Sequence, residues 1–536
     1  MKNSFLKKLT RYSPYFFIVL IALISVWPFF KKGFFETHDG DWMIIRFSAF
    51  HQALADGQFP VRFVDRLNNN YGYPVLNFLY PLPFYLAEIP KILGFGFVGS
   101  IKIIFALSSI FSSLFMYWAL SGRFSKLPSM VGAVLYLWVP YRFLDIYVRG
   151  SLGENLAFAI IPLILGCIFR VKKGKKIYYS LLSLSTALLI LSHNVVAIIF
   201  IPILLIIYTL ELRKVMLGIV YFSIGIFAAS FFWIPALYDL KFVVYNKVQI
   251  SNVFEHLTSL KNLMLPAWGF GPTPNGPGSF SPQLGLLSIM TLLTTTVLLV
   301  SGKLKDKFAV FLICISIIAI FLTLRISSFV WEVFPFIDKI QFPWRLLSVT
   351  VFSSTVLVAL ITEKIQKKAV SLIIIGLAVI INFSYTFPRN FVDREEGFYS
   401  TNESTTTVQD EYMPKWVTKK PEQRAYQKIE VTDKAEIENK EIRNVSYKAG
   451  LNLKKETTVV VNTVYFPGWK VISNGQEISI KITDTSGLIS FQLPKGMHEV
   501  IIEYKRTGIH LASELLSLTA LILVSIQSFR WRKQNS

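Results

Sequence analysis

The chain has 536 residues, of which 53% are hydrophobic and only 16% are charged, and its mean hydropathy is +0.49. A soluble protein of this length would carry more charge, so the composition predicts a polytopic membrane protein. The formal net charge of +22 would also suit a nucleic-acid-binding protein, but the placement of the basic residues argues against that class. Both cysteines, Cys167 and Cys314, lie in apolar segments, so no disulfide framework is expected.

Twelve apolar segments of about 20 residues are long enough to cross a bilayer as helices. Their centres lie near residues 22, 110, 134, 162, 184, 202, 225, 292, 316, 353, 377 and 520. The first segment is expected to remain as a membrane anchor, because its apolar run ends in WPFFKKGFF and no small-residue cleavage site follows it.

Basic residues are concentrated in every second connection between these segments. These connections hold 22 basic and three acidic residues, and they are residues 1–11, 121–126, 170–176, 211–214, 301–307, 363–368 and 530–536. This is the positive-inside pattern, which predicts that both termini are cytoplasmic in a bacterial membrane. Since the pattern accounts for most of the net charge, no nucleic-acid partner is expected.

The remaining connections are predicted to lie outside and are residues 31–97, 141–154, 192–194, 236–283, 325–344 and 385–508. Tyr73–Gly94 contains four prolines, and a crossing there would invert the charge pattern, so this segment is expected to be interfacial or re-entrant. Residues 41–55 place Met43, Phe47 and Phe50 on one helical face. This pattern predicts an amphipathic helix lying flat on the outer leaflet.

Residues 385–508 differ in character from the rest of the chain. Apolar alternation with a period of two appears in TTVVVNTVYF, ISIKI and HEVIIEYK, separated by the turn signals Asn474-Gly475 and Pro494–Gly496. The predicted architecture is therefore a transmembrane domain over residues 1–384, an external β-sandwich over residues 385–508 and a final helix with a basic tail over residues 509–536. The β domain has no metal-ligand spacing or nucleophile motif, so a binding or architectural role is expected.

An acidic cluster follows the first apolar segment, in the stretch ETHDGDWMIIRF. Glu36, His38, Asp39 and Asp41 fall within six positions at the membrane surface. One of the aspartates is expected to cap the helix that follows, but capping does not account for all four residues. A catalytic base is the favoured function for Asp39 or Asp41, and a Mg²⁺ or Mn²⁺ site formed by the four residues is the weaker alternative.

Several arginines lie in the connections predicted to be external, against the topological charge bias. Arg62, Arg66, Arg149 and Arg345 are the candidates for substrate binding. Each arginine taken singly is explained by snorkelling or by a local ion pair, for example with Glu154. As a group they favour a site for an anionic headgroup, because a guanidinium binds phosphate oxygens in a bidentate manner.

Two short polar motifs are also candidates for this site. His193, in LSHN, follows one apolar segment and is expected either to cap the next helix or to face the site, and Asp410–Pro414, the stretch DEYMP, has acids and a tyrosine able to reach it. No P-loop or HExxH pattern is present. Because the apolar segments contain almost no charge between their ends, an ion-coupled transporter is not indicated either.

The chain resembles the GT-C glycosyltransferases, and within them the bacterial membrane proteins labelled 6-pyruvoyl-tetrahydropterin synthase-related. The resemblance is carried by HDGDWMIIRFSAFHQALADGQFPVRF, YGYPVLNFLYPLPFYL, PYRFLDIYVRGSLGENLAFAIIPL, LSHN, QLG, IQFPWR and EYMP. The ending VYFPGWKVISNGQEI is similar to the C-terminal β domain of related envelope glycosylation proteins. The sequence HDGD departs from the adjacent Asp-Glu pair of some GT-C branches.

This resemblance implies an inverting transfer of a sugar from a polyprenyl-phosphate donor to an external glycan acceptor. It implies that Asp39 or Asp41 is the catalytic acid residue and that Arg149 and Arg345 bind the donor phosphate. The full set expected to contact substrate or membrane lipid is His38, Arg62, Arg66, Arg149, Glu154, His193 and Arg345. Two alternatives remain at this stage, namely a flippase for a lipid-linked glycan and a non-catalytic envelope scaffold.

Overall fold

The computed structural model describes residues 2–265, 267–276, 278–432 and 436–533. Its α-helices in chain order are α1 (Lys2–Ser25), α2 (Gly40–Ala55), α3 (Val75–Phe78), α4 (Leu82–Ile92), α5 (Phe97–Leu120), α6 (Lys126–Leu137), α7 (Pro140–Phe143), α8 (Leu152–Lys172), α9 (Tyr178–Ser192), α10 (Asn194–Leu212), α11 (Val215–Ala228), α12 (Ser230–Asp239), α13 (Val253–His256), α14 (Leu260–Met264), α15 (Leu286–Val300), α16 (Lys307–Thr323), α17 (Ser328–Val333), α18 (Leu347–Ile365), α19 (Lys368–Asn382), α20 (Glu396–Thr401) and α21 (Gly508–Lys533).

Each of the twelve predicted apolar segments coincides with one of these helices. Among the described residues, six helices are long and apolar enough to cross a membrane, and the number is eight if each of two bent pairs counts as one span. The bent pairs are Lys126–Leu137 with Pro140–Arg149 and Val215–Ala228 with Ser230–Phe242. The other four segments form shorter apolar helices. The helical membrane fold is therefore confirmed, whereas the number of twelve spans stays a prediction.

The basic connections meet at one end of the helix bundle. Arg123 pairs with Glu211 and, at 3.3 Å, with Asp306, and Lys172 also reaches Glu211 at 2.5 Å. The few acids of these connections thus join neighbouring connections to one another. This arrangement agrees with a common side for the basic connections, while the compartment that this end faces stays a prediction.

At the opposite end, α2 is buried in protein rather than spread on a lipid surface. Phe47 packs edge-to-face against Phe97 at the start of α5, and Phe50 packs against Phe84 of α4. Ser48, on the same helix, is also fully buried. The predicted flat helix on the outer leaflet is therefore wrong, because protein aromatics cover its apolar face. Tyr73–Gly94 forms α3 and α4, which are both too short to cross a membrane.

The strands are β1 (Phe34–Phe35), β2 (Phe391–Val392), β3 (Ile429–Val431), β4 (Glu436–Arg443), β5 (Ser446–Leu453), β6 (Thr457–Val464), β7 (Trp469–Ser473), β8 (Gln476–Ile478), β9 (Lys481–Ile482), β10 (Leu488–Leu493) and β11 (Gly496–Tyr504). Strands β3-β6-β10-β9 form one antiparallel sheet and β4-β5-β11-β7-β8 form another. The C-terminal sheet domain is confirmed, and its description as a sandwich stays a prediction.

The alternation of apolar residues places one face of each long strand inside the sheet domain. Along β5, Tyr447, Ala449, Leu451 and Leu453 are buried while the residues between them are more exposed. Asn474 and Gly475 both have positive φ and join β7 to β8 in a two-residue turn, as their sequence predicts.

The segment before the two sheets contacts the connection between α1 and α5. Strand β1 pairs with β2, and α20 packs on α2, with Ser48 Oγ donating to the Tyr399 carbonyl at 2.6 Å. Asn69 donates its amide to the carbonyl of Pro421 and its backbone N–H to that of Glu403. The predicted domain boundary at residue 385 therefore precedes the first strand of the two sheets by more than forty residues.

A buried ion pair joins the same connection to the sheet domain. Lys428 Nζ donates to Asp65 Oδ1 at 2.5 Å, and Tyr447 Oη donates to the same oxygen at 2.5 Å. Burial raises the pKa of Asp65 above its ordinary value, and Lys428 opposes that rise. Both residues are almost fully shielded from solvent.

We expect Lys428→Met to lower the free energy of unfolding by about 3–5 kcal/mol at neutral pH, because it leaves a carboxylate buried without its cation. The pKa of Asp65 then rises further, while the unfolded chain still ionises near pH 4. The stability of the variant is therefore highest below that pH and falls as the pH rises towards the folded pKa. Thermal unfolding in detergent should show a larger difference from wild type at pH 8 than at pH 5.

Lys420→Met is the matched control, since Lys420 and Asp410 form a partly exposed pair at 2.7 Å. Its effect should be small at both pH values. An equal loss of stability for Lys428→Met at pH 5 and pH 8 would contradict the assignment of Asp65 as the group responsible.

Candidate functional site

The acidic cluster begins α2, and the Asp39 carboxylate takes no part in capping that helix. Asp39 is the residue before the helix, but its side chain makes no capping hydrogen bond. Thr37 Oγ1 instead accepts from the Gly40 N–H at 2.8 Å. The expectation that an aspartate side chain caps α2 is therefore wrong, and helix capping does not explain the presence of Asp39.

A close backbone contact fixes the position of Asp39. The His38 and Asp39 N–H groups donate to the carbonyls of Val148 and Arg149, at 3.0 and 2.8 Å. Gly150 follows with φ +68°, and a Cβ there would lie 2.4 Å from Thr37 Oγ1. Glycine is thus required both for the left-handed backbone and for the close approach.

The Asp39 side chain lines a cavity of about 180 Å³ at this end of the bundle. The walls come from α2, the turn after α9, the residues before α18 and the segment that precedes the sheet domain. The polar and aromatic residues of the lining are Asp39, Trp42, Arg46, Phe78, Tyr80, Arg149, Ser151, His193, Asn194, Tyr245, Lys339, Gln341, Phe342, Arg345, Thr407, Glu411 and Tyr412. Four cations and two acids among these residues give the cavity a basic character.

Glu154 holds the two central arginines behind this cavity. Its Oε2 accepts from Arg149 at 2.9 Å and from Arg345 at 3.1 Å, while Oε1 accepts from Tyr141 at 2.8 Å. Arg149 also pairs with Asp145 at 3.0 Å and lies 4.0 Å from Asp39. Because both guanidinium groups are fixed by a buried acid, they are oriented before any ligand arrives.

Two aromatic rings also contact the Arg149 guanidinium. Its guanidinium carbon lies 5.0 Å from the ring centres of both Phe342 and Trp344, which stack on each other. These distances are in the range of cation–π contacts. The stretch IQFPWR therefore supplies Arg345 to the cavity and also the rings that hold Arg149 in place.

The two histidines of the prediction have different positions. His193 lines the cavity, stacks on Tyr80 at 4.9 Å and accepts from the Val196 N–H at 3.3 Å, so it both caps α10 and faces the site. His38 is not among the lining residues, and its Nε2 donates to the Phe270 carbonyl at 3.2 Å.

Arg62 and Arg66 lie away from the cavity, and their placement does not support the predicted role in substrate binding. Arg62 donates to Asn77 and to the Phe231 carbonyl and pairs with Glu514 at 3.4 Å. Arg66 donates to Gln52, to Ser48 and to backbone carbonyls of α20. Each guanidinium donates to several groups within the protein, so the role of Arg62 and Arg66 in substrate binding stays a prediction that this placement does not favour.

The predicted four-residue metal site is not assembled. Glu36 pairs with Arg389 and Asp41 pairs with Arg394, each at 3.4 Å, so both carboxylates point towards the segment after α19. Among the described residues, no three His, Cys, Asp or Glu side chains are grouped to bind a metal ion. Glu36, His38, Asp39 and Asp41 in this arrangement do not fit Mg²⁺ or Mn²⁺.

Several lining residues were not among the predicted contacts. Arg46 lies on α2 seven residues after Asp39, and that spacing places both on one helical face. Glu411 and Tyr412 belong to the motif DEYMP, whereas Asp410 pairs with Lys420 outside the cavity. Helical spacing could have identified Arg46, but no local pattern identifies Lys339.

Comparison with known proteins gives one relative and two solved structures of interest. An uncharacterized protein of Lactococcus lactis subsp. cremoris (strain MG1363) is 24% identical over 248 residues, which are 43% of this chain and 40% of that protein. Arabinofuranosyltransferase AftD from Mycobacteria has a TM-score of 0.45 and 15% identity, covering 71% of this chain and 28% of AftD. The apo oligosaccharyltransferase of Archaeoglobus fulgidus has a TM-score of 0.42 and 13% identity, covering 73% of this chain and 57% of that one.

The matched regions amount to less than two thirds of the length of each of these proteins. Both TM-scores lie below 0.5, so the function proposed below rests on the side chains of the site and not on these likenesses.

The family comparison is more extensive. The profile described as "6-pyruvoyl-tetrahydropterin synthase related domain; membrane protein" matches residues 76–389, more than half of the chain. The matched region contains Arg149, Glu154, His193 and Arg345, and it confirms the family predicted from the sequence. The chain therefore belongs to the 6-pyruvoyl-tetrahydropterin synthase related family of membrane proteins.

Proposed function

We propose that the protein is a membrane glycosyltransferase of the GT-C type, which moves a sugar from a polyprenyl-phosphate donor to a hydroxyl group of an external envelope glycan or glycolipid. The observation that carries this proposal is the cavity itself. It places a carboxylate that does not cap its own helix, Asp39, beside two arginines, Arg149 and Arg345, that are fixed in orientation by Glu154.

The chemistry of such a transfer matches these groups. Asp39 accepts the proton of the acceptor hydroxyl while the oxygen of that hydroxyl attacks the anomeric carbon of the donor sugar. The bond between that carbon and the phosphate oxygen breaks, and the electron pair leaves with the lipid phosphate. Negative charge therefore builds on the phosphate, where Arg149, Arg345 and Lys339 can stabilise it. Attack from the face opposite the phosphate inverts the anomeric centre.

An apolar groove next to the cavity supports a lipid-linked donor. Its volume is about 360 Å³, and it lies between α9 and α10 on one side and α11 and α12 on the other. Asn194 lines both the groove and the cavity. Ile198 and Leu237 in its wall are largely exposed, as lipid-facing residues of a membrane protein are. A polyprenyl chain in this groove would place its phosphate at the cavity.

The finer architecture follows from the same proposal. All twelve apolar helices cross the bacterial cytoplasmic membrane, with the basic connections inside and the cavity outside. The two C-terminal sheets form a sandwich on the external face, in the position where a glycan acceptor arrives. The partners are the lipid-linked sugar, membrane lipids and the acceptor.

The test uses wild-type protein in liposomes containing a panel of polyprenyl-phosphate sugars, with an envelope extract as the source of acceptor. Mass spectrometry should detect release of the free lipid phosphate with one donor and with no other. A parallel sample with EDTA measures the requirement for Mg²⁺ or Mn²⁺. If every donor stays intact with extract present, the glycosyltransferase proposal fails and the flippase and scaffold alternatives replace it.

A further inference from the structure

A second polar chamber adjoins the catalytic cavity. It has a volume of about 390 Å³ and is formed by residues 245–254 together with residues of the 338–341 segment. Tyr245, Ile250, Lys339 and Gln341 line both spaces. The chamber and the cavity are therefore separated only by the side chains that they share.

The chamber is lined mainly by neutral groups that both donate and accept hydrogen bonds. Asn246, Gln249, Asn252 and Gln341 supply carboxamides, and the charged residues of the lining are Lys247, Asp338 and Lys339. The cavity differs from the chamber, since its charged residues are four cations and two acids and its two central arginines are fixed by Glu154. An uncharged ligand rich in hydroxyl groups fits the chamber, whereas a phosphate fits the cavity.

Two hydrogen bonds join the walls of the chamber, and the Gln249 amide takes part in neither of them. Ser251 Oγ donates to the Gln341 carbonyl at 3.0 Å, and Lys339 Nζ donates to Asn246 Oδ1 at 3.4 Å. The Gln249 side chain is exposed and has no hydrogen-bond partner in the part of the chain that the structure describes. Its amide is therefore free to bind a hydroxyl group.

We infer that this chamber binds the acceptor, an uncharged oligosaccharide, and presents its hydroxyl group to Asp39. The inference rests on the proposed function and adds the place and the chemical class of the acceptor. The donor reaches the cavity from the apolar groove at Asn194, and the acceptor reaches it from the chamber at Tyr245 and Gln341. The two substrates thus approach from different sides, as a direct transfer requires.

The binding test needs no donor. Oligosaccharides are released from the envelope extract with dilute acid, and their contact with the purified protein is measured by saturation-transfer NMR. Wild type is compared with the double variant Asn246→Ala, Gln249→Ala, whose side chains are exposed. Because Asn246 accepts from Lys339, the thermal unfolding midpoint of each protein is measured as a check of folding. The control is Gln476→Ala, an exposed amide on the sheet domain.

We expect a signal with wild type and the control, and at least a ten-fold weaker signal with the double variant. In the transfer assay, the double variant should raise the apparent KM for extract far more than it lowers kcat. Equal binding by the double variant, or no binding by wild type, would overturn the acceptor chamber. Slower donor cleavage in the absence of extract would assign the chamber to the donor instead. The proposed function is judged separately, by lipid phosphate release with wild type.

Discussion

Asp39→Asn will lower the rate of sugar transfer by about 10²–10⁴-fold, because it removes the group that accepts the proton of the acceptor hydroxyl. Asp41→Asn should change the rate far less. The sequence alone does not distinguish the two acids, which are two positions apart. The structure separates them, since only the Asp39 side chain lines the cavity with Arg149 and Arg345.

The position of Asp41 explains the expected difference. Its carboxylate pairs with Arg394 and accepts from the Tyr399 hydroxyl at 3.3 Å, on the side of α2 that faces the segment after β2. Replacement by asparagine weakens that partly exposed contact, which contributes little to stability. Asp41→Asn is thus a matched control, with the same chemical change on the same helical turn.

The measurement is the initial rate of lipid phosphate release in liposomes, with the thermal unfolding midpoint of each variant as a check of folding. Because Asp39 makes no capping bond, Asp39→Asn should unfold at nearly the wild-type temperature. If Asp41→Asn loses most of its rate while Asp39→Asn stays active, the assignment of Asp39 as the catalytic base is wrong and Asp41 is the base. Normal rates in both variants would leave the cavity without a catalytic base.

The features predicted from the sequence are those that local patterns determine. The length of each apolar run locates the helices, because a membrane requires about 20 apolar residues for each span. The period-two alternation locates β6 and β11, and Asn474-Gly475 marks the turn between β7 and β8. Placement in the connections predicted to be external, together with the family resemblance, also suggested a common site for Asp39, Arg149, His193 and Arg345, which line one cavity.

The errors concern contacts between residues distant in the sequence. Arg66 is bound by carbonyls more than 300 positions later, and Asp41 by Arg394. From the sequence, a charged residue in a surface connection is therefore a candidate for ligand binding, although in the folded protein a distant segment of the chain already binds it. The flat helix failed for the same reason, because α4, α5 and α20 cover α2 and no periodicity reports what packs on a helix.

Glu154→Gln will lower the free energy of unfolding by about 3–5 kcal/mol and will also abolish most of the activity. The substitution keeps the size of the side chain but removes its charge, so Arg149 and Arg345 are left close together with one acid fewer between them. Glu154 is fully buried, and an uncompensated buried charge is costly where water cannot reach it. Denaturant unfolding in detergent measures the loss.

A second substitution separates loss of charge from loss of packing. If uncompensated charge is the cause, Glu154→Gln combined with Arg345→Met should be more stable than Glu154→Gln alone, because the unpaired guanidinium has been removed. If packing is the cause, the two losses should add, since each replacement disturbs its own neighbours. The double variant regains no activity in either case, because Arg345 is needed for the phosphate. Stability therefore rises from the single to the double variant, with no return of activity, only when Glu154 acts as the shared counter-ion of the two arginines.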